Sequence, residues 1–560
     1  MTTATAAAAQ QPATPVWTQS YPAGVSPDFD VPSMPLFGLL DKTVAKYADR
    51  PAVVFAGIEY NYGDIGKLVA RAAAGLQAMG VKKNVKVGLF MPNSGYSLVM
   101  YYAVLRAGGI VVNYNPIYTE ADLINQVEDS ETDILVTLDA APLLEKAAAL
   151  LAKSRVGKII VCGVRDNMLA PAKNDDLVSG ADYMWFADLL AGDKPLADVA
   201  VDPENDIAVL QYTGGTTGVP KGAALTHKNL IANTLQMDQW YHDAVPGEDS
   251  MVGVLPLFHV FAMTVVMNMS VAKAMKIYLL PQFNLAEMLD LIATQRPSYL
   301  AAVPTMYSAM VNADRTGSID FSSLKFCLSG GAPLPAEVKS AFEQRTKAKL
   351  VAEGYGLTEA SPVLTCNPLS TKARAGSIGL PIPGTVLEIV SLDDGVTVLP
   401  AGEKGEVCAR GPQVMKGYYN KDSETAQIMK GGRLHTGDVG YMDSEGFVYL
   451  VDRVKDLILV GGYNVYPRNI EEEIYTHPAV AECIVAGVPD KLRGEAVWAW
   501  VKTKDGQTLS DSDLRAYLQG RLSAIEMPKK IIMRDEPLPK TAVGKLSKRD
   551  LLVQEGLRKA

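Results

Sequence analysis

The chain is 560 residues long, about three to four domain-sized units, so a single small binding module is excluded. Hydrophobic residues make up 48% and charged residues 21%, enough apolar material for packed cores, which excludes global disorder and fibrous classes. Sixty-two acidic residues against 53 basic ones give a net charge of -9, so a broad nucleic-acid surface is not expected and any bound anion must be met by a local pocket.

The opening MTTATAAAAQQPATP has neither a basic start nor a long apolar core, and reads as a disordered leader rather than an export signal, with residues 1–30 leading up to the body. From residue 85 apolar β-rich runs alternate with amphipathic ones. Strands are expected at Val85–Phe90, Ile110–Asn113 and Ile134–Leu138, and helices at Ser97–Arg106 and Thr119–Asp129, the latter opened by a Thr cap. Such alternation implies helices packed on mostly parallel sheets. Asp206–Tyr212 is another buried strand, running straight into a Gly/Thr-rich loop.

The most membrane-like stretch, Val260–Ala272, is interrupted by Asn268 and ends at Lys273, short of the roughly 20 apolar residues a span needs, so a buried helix is expected. The location that follows is cytoplasmic, with contact at the inner membrane face left open for an enzyme with a greasy substrate. Near residue 450 the texture changes. VYLVDRVKDLILVGGYNVYPRNIEEEI reads as strand, charged break, strand, Gly-Gly loop, and a helix begun around Pro467 with acids in its first turns. A hinge is placed at Arg453–Asp456. The fold class is therefore α/β. Residues 31–454 form a large multi-subdomain body of parallel sheets with packed helices plus a β-rich subdomain, and residues 455–560 form a small mobile α+β domain with strands near Cys483 and Val497 and a helix capped at Ser510.

Five cysteines, far apart and with no Cys-x-x-Cys pair, suit a reducing compartment, and five histidines show no metal-ligand spacing. The sharpest signal is YTGGTTGVPKG, Tyr212 to Gly222. Gly214, Gly215 and Gly218 let successive N–H groups face one anion, Thr213, Thr216 and Thr217 add hydroxyls, and Lys221 supplies full charge. A lone glycine cluster would be read as a flexible loop, but this one follows a buried strand and ends in a lysine. Lys221 precedes Gly222, so the loop does not fit the GxxxxGK[ST] pattern.

Further stretches follow in order: LPLFHVFA, SGGAPLP, EGYGLTE, GSIGLPIPG, HTGD, DRVKDLILVGGYNVYP and PKTAVGK. With the Gly/Thr loop they resemble the adenylate-forming ligases, the superfamily of acyl-CoA synthetases, luciferases and peptide-synthetase adenylation domains, over nearly everything after residue 30. QYTGGTTGVPKGA and VVNYNP are most similar to bacterial long-chain fatty acid:CoA ligases. The resemblance implies an acid-thiol ligase that uses ATP, Mg²⁺ and CoA to make acyl-CoA, AMP and diphosphate, with a carboxylic acid as the partner and no nucleic acid.

It also implies residue roles. Lys545 corresponds to the family's catalytic lysine on a mobile loop. Glu359 corresponds to the carboxylate that organises Mg²⁺, with the hydroxyls of Thr216 and Thr358 near the phosphates. Tyr355 offers a face to adenine, beside a thin wall of Gly331, Ala332 and Pro333, with Glu353, Gly354 and Gly356 in the same nucleotide motif. Asp438 accepts from ribose hydroxyls, and Arg453 reaches the nucleotide from the hinge. His259, which in an apolar run is otherwise a core residue, lines the carboxylate end of an acyl pocket with Val260, Met263, Gly330 and Gly356. Lys455 is the pivot, and the loop of Gly461, Gly462 and Tyr463 admits the pantetheine arm.

Acetate-specific relatives carry Trp at the position of Gly356, which implies an acyl pocket left open here for a longer tail. The uncharged runs at Phe258–Ala272 and Ala301–Met310 suit an alkyl chain, while dicarboxylic and aryl acids stay open as alternatives. A degenerate binding protein would be expected to lack Lys545, Glu359 or the Gly/Thr loop, and a switch NTPase would release ADP rather than AMP.

Overall fold

The structure, a computed structural model, describes residues 15–164, 167–213, 220–347, 351–368, 373–461, 463–490, 492–540 and 546–558. Two large sheets build the body. One has eight strands, and from Ile207–Thr213 through Ile110–Tyr114, Lys86–Phe90, Thr132–Leu138, Lys158–Cys162 and Tyr183–Trp185 all pairings are parallel. Its other edge turns antiparallel, at Lys221–Thr226 and then Gly417–Tyr418. The second sheet has nine strands with a parallel centre, Lys276–Leu279, Ser250–Gly253, Tyr299–Ala302, Phe326–Ser329 and Val351–Gly356. The expected strands and helices between residues 85 and 138 all form, within two residues of their expected ends.

Burial explains why the helix Gly95–Arg106 carries no polar face: it is buried from Gly95 to Leu105 within the body's main apolar core. Several polar groups that enter that core are paired. Tyr102 Oη donates 2.9 Å to Asn268 Oδ1, and Tyr62 Oη bonds the carbonyls of Ser270 and Met275. Asn93 Nδ2 donates to the carbonyls of Gly253, Leu255 and Leu280, and Asn93 Oδ1 accepts from Leu257 N–H at 2.7 Å, fixing the loop that leads to His259. A buried hydroxyl or amide left unbonded would cost about 1–3 kcal/mol, so these residues specify one arrangement of the sheets.

The run from Val260 is buried as expected, but residues Ala262–Asn268 are wound as a π-helix before an α-helical turn at Met269–Ala272. Wide turns of that kind recur at functional sites. Among the described residues no helix is long and apolar enough to cross a membrane. Residues 15–30 follow the body's surface. Trp17 and Tyr21 are buried, Tyr21 packs edge-on against Trp240 at 5.5 Å, and its hydroxyl donates 2.6 Å to Pro381 O.

A five-stranded antiparallel sheet, built on Val386–Val390, Gly405–Arg410, Arg433–Met442 and Val448–Arg453, forms the β-rich part. The chain leaves it through a 3₁₀ turn, Val454–Asp456, within the expected hinge. The terminal lobe has its own sheet, in which Val480–Asp490 and Gly494–Thr503 form a long hairpin and Lys530–Arg534 adds a parallel strand; helices Pro467–Tyr475 and Asp511–Leu518 cover one apolar cluster and Leu551 of Lys548–Gln554 lies in a second. Pro467 opens its helix as expected, and Glu471, Glu472 and Glu473 fall in its second turn.

Candidate active site

The Gly/Thr loop is the connection of an antiparallel hairpin. Ile207–Thr213 pairs with Lys221–Thr226 in a register that sets Thr213 opposite Lys221. Residues Gly214, Gly215, Thr216, Thr217 and Gly218 lie outside the described residues, so the geometry begins at the loop's two ends. Both ends are anchored. Tyr212 Oη donates 2.7 Å to Asp129 Oδ2, whose other oxygen meets Lys421 Nζ at 2.5 Å, and on the other side Gly222 O accepts from Tyr419 N–H at 2.8 Å.

The edge strand Gly417–Tyr418 brings a residue that the sequence reading missed. Tyr418 Oη donates 2.6 Å to Glu359 Oε1, and Lys221 Nζ lies over the Tyr418 ring, 5.2 Å from its centre. Tyr418 thus touches both the expected metal carboxylate and the expected phosphate lysine. Glu359, with Thr358, sits on the short turn after Val351–Gly356, held by a 2.8 Å bond from Met415 N to its carbonyl. Carboxylate and hydroxyl oxygens are hard donors, so Glu359 and Thr358 fit Mg²⁺.

Asp438 is 6% exposed. Its Oδ2 accepts from Tyr355 Oη at 2.5 Å and its Oδ1 from Arg453 Nε at 2.9 Å. Both oxygens are therefore oriented, and Arg453 is the residue that leads into the Val454–Asp456 turn. Ser329 pairs with Glu353 across parallel strands, which places Gly330–Pro333 beside the EGYG segment. Gly331 (φ +79°) and Pro333 are exposed and Ala332 half-buried, as a thin wall requires. Glu353 Oε1 accepts from Leu334 N–H at 3.2 Å, tying wall to strand, and burial pushes its carboxyl up to about 7.

The acyl residues are only partly assembled. Val260 and Met263 are buried, with Asn113 Nδ2 3.4 Å from the Met263 sulfur, and a Cβ on Gly330 would lie 3.0 Å from the Phe261 ring. His259 is exposed, not a core residue; its ring nitrogen Nδ1 accepts from Phe261 N–H at 3.3 Å. The expectation for Gly356 needs correction. A Cβ there would meet the Pro362 carbonyl oxygen at 2.0 Å, so the glycine permits close approach of the Pro362 backbone rather than leaving room for an alkyl tail.

Lys455 is exposed on the 3₁₀ turn Val454–Asp456, and Gly461 (φ +60°) and Tyr463 are exposed at a hairpin tip, with Gly461 N–H donating to Arg493 O at 2.8 Å. Gly462 and Lys545 lie outside the described residues. Space also gathers what the sequence spacing left apart: Glu406, Cys408 and His435 converge behind Asp438. The His435 Nδ1 to Glu406 Oε2 separation of 2.7 Å is a hydrogen bond, shorter than neighbouring ligands on a tetrahedral metal with bonds of about 2 Å would keep.

The chain matches the AMP-binding enzyme family over residues 40–419 and the AMP-binding enzyme C-terminal domain over residues 469–545, and it belongs to that family. It is an adenylate-forming ligase in fold and class. A Bacillus subtilis relative named long-chain-fatty-acid–CoA ligase is 42% identical over 552 residues, covering 96% of this chain and 98% of the relative. An Escherichia coli relative of the same name is 37% identical over 555 residues, covering 96% and 97%. Among solved structures, ATP-bound MatB from Rhodopseudomonas palustris aligns with TM-score 0.81 at 31% identity, over 93% of this chain and 99% of that one.

Proposed function

We propose that the enzyme activates a medium- to long-chain fatty acid to an acyl-adenylate and transfers the acyl group to CoA, releasing AMP and diphosphate. The observation that carries the reading is that one segment, EGYGLTE, carries both Glu359, joined through Tyr418 to Lys221, and Tyr355, bonded to a pre-oriented Asp438. This set of groups suits a nucleotide whose α-phosphate is attacked, and the relatives named long-chain-fatty-acid–CoA ligase support a fatty acid as the attacking acid.

Asp438 holds the ribose and Tyr355 the adenine against Gly331–Pro333. Thr213, Lys221 and the intervening loop hold the phosphates, and Lys545 stabilises charge gathering on the phosphoryl oxygens. Glu359 and Thr216 would hold Mg²⁺, which when bound neutralises phosphate charge. His259 stands at the mouth of the Phe258–Asn268 segment, where a carboxylate would enter with its tail against Val260, Met263 and Phe261. Rotation about Lys455 then exchanges Lys545 for the Gly461–Tyr463 loop, through which CoA arrives.

The test is a panel of saturated acids of graded length with aryl and dicarboxylic acids beside them, scored for AMP and thioester. The reading expects turnover to rise with chain length beyond the short acids. Activity confined to aryl or dicarboxylic acids would refute it.

A further inference from the structure

Asp438 stands on a bulge that is paired on one side only, through Asp438 opposite Arg453 of the strand Val448–Arg453. In the pairing of Gly405–Arg410 with Arg433–Met442, Cys408 faces His435 and Glu406 faces Val439. The first strand takes two steps over that interval and the second takes four, so Thr436, Gly437 and Asp438 loop out opposite Val407 alone. Bulges next to active sites re-aim a side chain, and the cost is a set of backbone groups with no ladder partner.

Side chains supply those partners. Glu406 Oε1 accepts from Gly437 N–H at 3.0 Å, Thr436 Oγ1 accepts from Asp438 N–H at 3.1 Å, and Thr436 Oγ1 donates 2.7 Å to the Val407 carbonyl. Gly437 takes φ +72°, a value that glycine reaches without strain. The second oxygen of Glu406 accepts from His435 Nδ1 at 2.7 Å, with Cys408 Sγ 3.4 Å from the same nitrogen, and the side chains of His435 and Glu406 are only 6% and 15% exposed. A carboxylate bonded through both oxygens cannot turn away from the bulge.

We propose that Glu406 and His435 are positioning residues for nucleotide recognition: Glu406 clamps the Thr436–Asp438 bulge, and His435 fixes the clamp's rotamer. Neither need touch the nucleotide. Their effect passes through Asp438, whose carboxylate must meet the ribose hydroxyls in one orientation. The inference rests on the reading that Asp438 holds the ribose, and the experiment separates the two.

The experiment measures acid-dependent AMP formation with ATP and with 2′-deoxy-ATP in the native chain and in Glu406→Ala, Glu406→Gln and His435→Gln. A hydrogen bond to a charged acceptor predicts that the native enzyme prefers ATP by about 10-fold or more in kcat/KM. In Glu406→Ala that preference falls to within about 3-fold of unity. KM for ATP rises about 10-fold, while kcat at saturating ATP and KM for the acid change by less than about 3-fold. Glu406→Gln keeps an acceptor for Gly437 N–H and restores most of the preference, and His435→Gln lowers it by a smaller factor than Glu406→Ala does. A merely structural role would lower stability and leave the nucleotide preference intact. A folded Glu406→Ala enzyme that keeps the native preference overturns the proposal. Should that variant not fold, Glu406→Asp, one methylene short of Gly437, carries the same expectation and the same refutation. Absence of any preference in the native enzyme overturns instead the assignment of the ribose to Asp438, and the proposal with it.

Discussion

Replacing Asp438 by Asn removes one charge and little volume, so its consequences can be worked from the contacts. Asp438 receives Tyr355 Oη on Oδ2 and Arg453 Nε on Oδ1. Asn can keep its oxygen on Arg453, which only donates, and turn its amide toward Tyr355, whose hydroxyl can accept instead. The Arg453 side chain is 47% exposed, so solvent screens the lost ion pair and the stability cost should be about 1 kcal/mol or less. Nucleotide binding suffers more. Two ribose hydroxyls that met a carboxylate would meet a neutral amide, a loss of about 1–1.5 kcal/mol each, or roughly 30- to 150-fold in KM for ATP. The assay is acid-dependent AMP release against ATP concentration, at saturating acid and CoA, with a melting curve alongside. KM changed by less than about 3-fold in a variant with native melting would remove Asp438 from the nucleotide site.

Gly356→Trp should lower the melting temperature and depress activity on short and long acids alike, because forcing a side chain against the Pro362 carbonyl costs about 3 kcal/mol or more; a folded variant that now prefers short acids would show that the pocket does open there. Glu353→Gln should be increasingly stabilising relative to the native chain as pH rises. The native carboxyl is raised to about 7, so the folded state holds a proton that the unfolded state has released, and its stability contribution is full below the ordinary carboxylate range and is lost as pH rises through about 7. An identical melting difference at about pH 5 and about pH 8 would contradict this. Lys455→Pro, on the exposed turn Val454–Asp456, should slow one half-reaction at least about 10-fold more than the other, since proline fixes φ where the lobe must rotate. Equal loss in both, with native melting, would count against a pivot at this residue.

The sequence made local order legible wherever a signal and its consequence lay within a few residues. Thr119 caps its helix, Pro467 starts one, and a 3₁₀ turn falls where the charged break does. The candidate site was readable through its motifs, each a short run whose backbone needs particular residues. What escaped were pairings across the fold. Tyr418 meets Glu359 from 59 positions away, a pairing that no local pattern signals. Glu406 supports Gly437 across a bulge that exists only once two strands are in register. Gly356 was misread for a related reason: a missing side chain signals close approach, but the sequence does not say whether a ligand or the Pro362 backbone makes it.

The central claim is that this cleft couples ATP cleavage to acid activation and then to thiol transfer. The most direct measurement is a product analysis of the intact enzyme with ATP and Mg²⁺, adding first a long-chain saturated acid and then CoA. The account predicts no nucleotide turnover without acid, bound acyl-adenylate and diphosphate once acid is present, and AMP with acyl-CoA in equal amounts after CoA. Acid-independent release of ADP, or AMP release without thioester when CoA is supplied, would contradict it.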